Sequence, residues 1–533
     1  ADVRALMFKV KKAQGTDIAR SFDGLNDVRN IADSVKFANE AGMISQAALS
    51  VTYSEVHTVE YYVNMADTLI NQGAQEICIK DMAGVGRPVS LGKIVAGIKK
   101  LHPDTLVQYH GHSGPGFSVA SILEVARAGA EIIDVSMEPL SWGTGHADLL
   151  TVHAMLKDAG FTVPDINMKA YMKVRALTQE FMDDFLSFYI SPKNRLMNSL
   201  LIGSGLPGGM MGSLMADLEN NLKSLNKWMA KNNKPEVTQD ELLIKLFEEV
   251  EYIWPKMGYP PLVTPYSQYV KNVALMNVMQ VMKGKERWSM IDDNTWDLLL
   301  GRSGELPGKL DQELVDLAKA QGREFYDGVP QELYPNKLAE IREQMAAEGW
   351  DAGEDEEELF ELAMHPEQYK AYKSGKAKEN FEADLQQKRA EASSGSTPSG
   401  ATPATGQAEI AQPNQMKIDV NGEVFNVKVS YGDIVEQSVI GPKSIEPVST
   451  PVASSNGHKE VLAPIEGNFM LTKDSGEKGI QVGDVVKEGE TIGYIEAMKV
   501  YNAIAAEHSG TIVEICAADG SHIDEDDVIV KIQ

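Results

Sequence analysis

The chain has 533 residues, with 77 acidic against 50 basic side chains and a formal net charge of −27 at pH 7. That excess argues against nucleic acid as a partner and suits a protein working among small metabolites. Hydrophobic residues make up 43% of it, enough for roughly two to four packed domains. No apolar run approaches the roughly 20 residues of a membrane span, and the two cysteines, Cys78 and Cys516, leave no disulfide framework. A reducing cytoplasm is the expected location.

In chain order, "ADVRALMFKVKKAQG" reads as a helix already under way. Short apolar runs then alternate with helical stretches: "TDIARSFD" (16–23), "ISQAALSVTY" (44–53), "EICIKDM" (76–82), "TLVQYHGHS" (105–113) and "EIIDVSM" (131–137). Repeated β-α units predict a parallel sheet through residue 150, with a TIM-type β/α barrel as its closed form. Five such runs fall short of the eight in a barrel, so the expectation is a chain lacking the first three strands. His110 and His112 are two apart on one strand and share a face. Lys80-Asp81 ends the preceding run, after Cys78 on the same face. A lone strand-end lysine usually forms a salt bridge, and lone histidines usually pack. Lysine beside a His-x-His strand at a barrel mouth points instead to chemistry.

Residues 151–390 are predicted mostly helical; "MKVRALTQEFMDDFLSFYI", "MADLENNLKSLNKWMA" and "DELLIKLFEEVEYIWPKMG" carry apolar residues at helical spacing. Their methionines are expected in the core. The acidic run in "DAGEDEEELFELAMHPEQY" marks a helix start. Residues 391–415, rich in Ala, Pro, Ser, Gly and Thr, form a linker spanning roughly 25–30 Å as a flexible coil. In the next segment, 416–460, residues 416–430 predict a hairpin turning at Asn421-Gly422, and a second loose stretch follows.

The last segment, 461–533, repeats itself. "VGDVVKEGETIGYIE" (482–496) aligns without gaps on "DGSHIDEDDVIVKIQ" (519–533), an offset of 37, and Gly467 and Gly510 open the two halves. Two similar strand sets predict a pseudo-twofold β-sandwich whose joint is "EAMKV". Lys499 then tops a hairpin at that joint. An exposed turn lysine is usually a solubilising charge, but the flanking Ala497 and Met498 and the position at the joint argue otherwise.

Glu496-Ala497-Met498-Lys499 resembles the biotin attachment site of biotin-dependent carboxylases, with "APIEGNFM" and "SGTIVEI" fitting the same domain. The resemblance implies biotinyl-lysine at Lys499 and a biotin ligase as partner. The related lipoyl domain usually lacks the methionine. "LTKDSGEKGIQ" looks like the thumb of biotin carriers in acetyl-CoA carboxylase.

"FDGLNDVRN" (22–30), "YSEVHT" (53–58), "IKDMAG" (79–84), "HGH" (110–112), "LPGGM" (206–210) and "PPLVTPYSQ" (260–268) look like the pyruvate-type carboxyltransferase family. The family includes the oxaloacetate decarboxylase α subunit and the carboxyltransferase and biotin-carrier subunit of two-subunit pyruvate carboxylase. The resemblance implies an α/β fold: a partial barrel, a helical extension forming a funnel over its mouth, a flexible linker and an all-β biotinyl domain. It also implies carbamylated Lys80, His110 and His112 as ligands of a divalent metal (Zn, Mn or Co). The implied substrate is a small 2-oxo acid such as oxaloacetate or pyruvate. The implied partners are membrane decarboxylase subunits or a separate biotin carboxylase, with homo-oligomers expected. A non-catalytic carrier scaffold is the rival reading.

Three departures stand out. The family's "DTTFRDxxQS"-like stretch, with its metal-ligand aspartate and substrate-binding residues, has no counterpart. The proton-shuttling Thr or Ser after "PGG" is Gly212 here; Ser213, one place on, either takes its role or faces solvent. "HGHSGPG" and "GTGH" (143–146) also differ from the decarboxylase pattern, which leaves 2-oxoglutarate open as substrate.

Overall fold

All five apolar runs become parallel strands, β1 (Ile18–Phe22), β2 (Ile44–Ser50), β3 (Glu76–Asp81), β4 (Leu106–Gly111) and β5 (Ile132–Ile133), in the order β1-β2-β3-β4-β5. This computed structural model describes residues 1–199, 201–204, 208–393, 415–420, 423–428, 459–473, 478–497, 500–524 and 527–533. Helices α1 (Asp2–Ala13), α2 (Val28–Glu40), α3 (Val59–Asn71), α4 (Pro88–Leu101), α5 (Ser118–Arg127) and α6 (Leu149–Asp158) precede, connect and follow the strands. Side-chain caps begin three of them: Asp27 accepts from Arg29 N–H, Thr58 from Tyr61 N–H and Asp148 from Leu150 N–H.

The strand period of two sorts the residues of each strand by parity. Ala47, Leu49, Ile77, Ile79, Val107 and Tyr109 enter one apolar core with Ile31, Val35, Leu69, Ile94, Val95 and, from α6, Val152 and Leu156. The intervening residues carry a polar layer. Arg20 Nε donates to Gln46 Oε1 (2.5 Å), and Gln46 Nε2 donates to Glu76 Oε2 (2.7 Å) and Gln108 Oε1 (2.8 Å). Gln108 in turn donates to Asp134. Such a buried layer is tolerated because its members satisfy one another.

The helical region includes α7 (Met168–Asp184), α8 (Leu201–Ser204), α9 (Gly208–Lys231), α10 (Gln239–Lys256) and α11 (Tyr266–Met282). A reciprocal capping box between Thr238 and Glu241 starts α10. Leu246, Val250 and Ile253 of α10 share a core with Val270, Val273 and Ala274 of α11, and Met257, Met276 and Met279 are buried in it. The acidic run begins the helix Glu357–Met364, placing Glu357 and Glu358 in its first turn.

The segment "FDGLNDVRN" ties the sheet to these helices. Asp27 Oδ2 accepts from Glu305 N–H (2.9 Å) and Asn30 Nδ2 donates to Ser303 O (3.1 Å). A Cβ at Gly24 would stand 2.4 Å from Cε2 of Tyr266, so only glycine lets the loop lie against that ring.

Residues 399–458 form a separate unit, whose described part is an antiparallel pair, β6 (Gln415–Val420) and β7 (Glu423–Lys428). The expected turn at Asn421-Gly422 and most of the linker fall outside the described residues.

The C-terminal strands are β8 (Lys459–Leu462), β9 (Gly467–Met470), β10 (Val485–Val486), β11 (Thr491–Ala497), β12 (Val500–Ala505), β13 (Gly510–Ile515), β14 (His522–Ile523) and β15 (Val528–Ile532). They make two sheets, β10-β13-β15-β8 and β12-β11-β9-β14. Exchanging the halves of the repeat turns one order into the other read backwards, which is the pseudo-twofold. The detail repeats as well. Gly483 N–H donates to Ile512 O (2.8 Å) and Gly520 N–H to Phe469 O (2.7 Å). Both glycines have positive φ, 99° and 75°.

Candidate metal centre

The β3–β4 ladder sets Lys80 opposite His110. His112 follows β4 on the same face, and the two imidazole centroids lie 5.1 Å apart. The structure adds a third ring that sequence reasoning had not singled out. His146 stands 4.4 Å from His110 and 4.5 Å from His112, centroid to centroid. One ligand atom from each of the three falls within 4.8 Å of the others.

A sharp turn delivers His146. Trp142 and Gly143 both have positive φ (72° and 56°), and Trp142 N–H donates to His146 O (2.8 Å). A Cβ on Gly143 would come within 2.1 Å of Asn194 O, so this position requires glycine. The returning segment pairs with the end of β4: His112 bridges His146, and Ser113 N–H donates to Gly145 O (2.8 Å).

Each ring is anchored through Nδ1. His112 Nδ1 lies 2.5 Å from Thr144 O, His146 Nδ1 2.8 Å from Gly111 O and His110 Nδ1 2.7 Å from Asp134 Oδ2. Backbone carbonyl oxygens only accept, so in His112 and His146 the proton is assigned to Nδ1 and Nε2 keeps its lone pair, whereas His110 Nδ1 faces both Asp134 Oδ2 and the donor Arg20 Nη1 (3.2 Å). Burial pushes the His112 pKa down to about 4 and lowers that of His146. Neutral imidazoles with oriented Nε2 atoms are the donors that zinc, cobalt and similar metals take.

Charged groups surround the cluster. Burial would raise the Asp134 carboxyl, but bonds from His110, Arg20 and Gln108 hold it well below the usual carboxylate range. Arg20 Nη1 reaches the same Asp134 oxygen at 2.7 Å. Lys80 Nζ sits 3.7 Å from the centroid of Phe22, and burial lowers its pKa. Beneath it, burial raises the Cys78 thiol to about 12, leaving it unreactive. Asp81 is fully buried and accepts from Val85 and Gly86 N–H (3.0 Å each), folding the loop after β3. Arg20 and Asp134 were also not singled out beforehand; their only signal was their place on the even-numbered face.

The remaining sequence-predicted positions lie elsewhere. Glu496 is on β11, opposite Tyr501 and Asn468, and the β11–β12 pairing runs to Ala497 opposite Val500. Met498 and Lys499 stand between those strands in the chain but fall outside the described residues. Ser213 belongs to α9, and its side chain is likewise outside the description.

Residues 16–178 match the HMGL-like family, 202–432 the conserved carboxylase domain and 459–532 the biotin-requiring enzyme family. The chain is 27% identical to a pyruvate carboxylase subunit of Methanocaldococcus jannaschii, over 91% of its own length and 76% of that protein. It is 25% identical to the 2-oxoglutarate carboxylase large subunit of Hydrogenobacter thermophilus, over 97% and 79%. Among solved structures, the carboxyl transferase domain of Rhizobium etli pyruvate carboxylase superposes with a TM-score of 0.56 at 21% identity, covering 69% of this chain and 60% of that one. The complete Rhizobium etli enzyme also gives 0.56, at 19% identity, covering 99% of this chain but 48% of that one. The chain thus spans about three quarters of those two curated relatives and about 60% of the solved domain.

The chain carries segments of the HMGL-like, conserved carboxylase and biotin-requiring enzyme families, with the barrel-type carboxyltransferase fold and a C-terminal biotinyl domain. Covalent biotin and a divalent metal are the cofactors that go with them. Among the described residues, no helix is long and apolar enough to cross a membrane.

Proposed function

We propose that this chain moves a carboxyl group between a 2-oxo acid and biotin carried on Lys499, with pyruvate and oxaloacetate as the substrate pair. The observation that carries this reading is Lys80 beside a His-x-His strand at one sheet mouth, in a chain that ends in a biotinyl domain. Glu496, Ala497 and Met498 present Lys499 to the biotin ligase. Lys80 takes up CO2 as an N-carbamate, releasing a proton, and joins His110 and His112 in holding a divalent metal (Zn, Mn or Co). When bound, that metal polarises the 2-oxo group and stabilises the enolate. Arg20, fixed by Asp134 and Gln46, supplies a cation beside the imidazoles that suits a carboxylate substrate. Ser213 carries the proton between biotin and the enolate.

A separate biotin carboxylase is the proposed partner, an arrangement consistent with relatives that are themselves named as carboxylase subunits. Run from oxaloacetate to biotin, the same transfer gives pyruvate and carboxybiotin, and protonation of carboxybiotin with loss of CO2 would complete oxaloacetate decarboxylation. Similarity to the Hydrogenobacter protein makes 2-oxoglutarate the second substrate reading. Converging imidazoles oriented for a metal speak against a mere carrier scaffold.

The test is isotope exchange between labelled oxaloacetate and pyruvate by the biotinylated chain, with 2-oxoglutarate run in parallel. Exchange should be avidin-sensitive and absent in Lys499→Arg, which should also lose its streptavidin signal. No exchange with any 2-oxo acid by biotinylated, metal-loaded protein would overturn the reading.

A further inference from the structure

We infer that His146 is a third imidazole ligand of the metal, so that the centre is built on three histidines, His110, His112 and His146. The inference rests on the metal-dependent reading above and adds a ligand to it.

Four observations carry it. The three rings crowd together with centroids 4.4 to 5.1 Å apart, and one ligand atom of each lies within 4.8 Å of the others. The His146 ring is fixed through Nδ1 to Gly111 O, and the His112 ring through Nδ1 to Thr144 O. Each contact therefore links β4 and the 140–146 loop in opposite directions, which locks the two rings as a pair. The positive-φ Trp142-Gly143 turn exists at a position where a Cβ would strike Asn194 O, so the loop path is tightly specified. Finally, where His110 Nδ1 is held by the Asp134 carboxylate, His146 Nδ1 is held by a backbone carbonyl. Its Nε2 is the donor left over once Nδ1 has given its proton to that bond.

Three imidazole nitrogens are a donor set that catalytic zinc centres use, and a carbamate on Lys80 would add an oxygen donor to it. Such a nitrogen-rich set selects zinc or cobalt over magnesium and manganese, which prefer oxygen.

His146→Asn separates ligation from structure, because its amide can still donate to Gly111 O from the Nδ1 position but has nothing in the place of Nε2. Metal-free wild type, His146→Asn and His110→Ala would be titrated with Co2+, following visible absorption and chelator competition, with circular dichroism as a check on folding. The expected result is one Co2+ per wild-type chain. His110→Ala should lose it, and His146→Asn should bind at least about 10-fold more weakly with an altered ligand-field spectrum. If His110→Ala loses the metal while His146→Asn keeps wild-type affinity and spectrum, the third ligand is refuted and the metal reading stands. If neither substitution changes binding, both fall. X-ray absorption on wild-type protein loaded with Co2+ decides the matter independently of how the variants fold: three coordinated imidazoles support the inference, two overturn it.

Discussion

His110 Nδ1 lies 2.7 Å from Oδ2 of Asp134, a contact between the end of β4 and the residue just after β5. Arg20 from β1 closes on the same oxygen, so one carboxylate just beyond edge strand β5 is bound by both β4 and the opposite edge strand β1. A carboxylate behind a metal-binding imidazole fixes its tautomer and strengthens it as a donor. Asp134→Asn should therefore weaken metal binding about 10- to 100-fold without unfolding the chain. Chelator competition gives the number, and wild-type affinity in the variant would contradict this role.

Ser213 sits within the second turn of α9, where the proposal makes it the proton carrier. Ser213→Ala should lower kcat of the exchange reaction about 100-fold or more, with little change in KM. Steady-state kinetics at several 2-oxo acid concentrations separates the two constants. An unchanged kcat would assign Ser213 to the solvent face of its helix.

The pseudo-twofold makes a paired prediction about stability. A Cβ at Gly467 would approach Ile495 Cγ2 at 2.5 Å and Glu496 O at 2.6 Å. A Cβ at Gly510 would approach Ile532 Cγ2 and Gln533 O, both at 2.5 Å. Gly467→Ala and Gly510→Ala should each destabilise the biotinyl domain by about 1–3 kcal/mol, the usual cost of overpacking. Denaturant unfolding should give similar losses for both, and a large loss in one alone would break the symmetry argument.

His57 offers a pH test on a residue outside the imidazole cluster. It is 5% exposed, has Nδ1 2.7 Å from Ser54 Oγ, and lies parallel to Trp254 at 6.4 Å between centroids. Burial pushes its pKa down to about 3. The unfolded chain takes up this proton near pH 6.5 and the folded chain does not. Its contribution to stability is therefore complete above about pH 6.5 and declines as pH falls from there towards 3, by about 1.4 kcal/mol per pH unit. His57→Asn should lose less stability than wild type between pH 7.5 and 5 in urea unfolding. Equal losses would show that His57 titrates normally in the fold.

What could be read directly from the sequence was whatever depends on short-range periodicity. The five strands announced themselves as short apolar runs between helical stretches, and the strand period of two put His110 with His112 on one face and Lys80 with Cys78 on another strand's. The biotinyl sandwich was legible because its halves repeat, so Gly467 and Gly510 and the joint before Lys499 could be placed without coordinates. His146 could not be placed in this way. It lies 35 residues from its partner Gly111, in a loop with no periodicity, and reaches the site only because two left-handed residues turn the chain back onto the end of β4. Arg20 and Asp134 each sit on a different strand or strand end, and nothing local links them; their ion pair joins the two edge strands of the sheet, which only its curvature brings together. Strand register and loop curvature, which depend on packing between distant segments, decided the imidazole cluster, whereas the proposed biotin site at Lys499 rests on four consecutive residues.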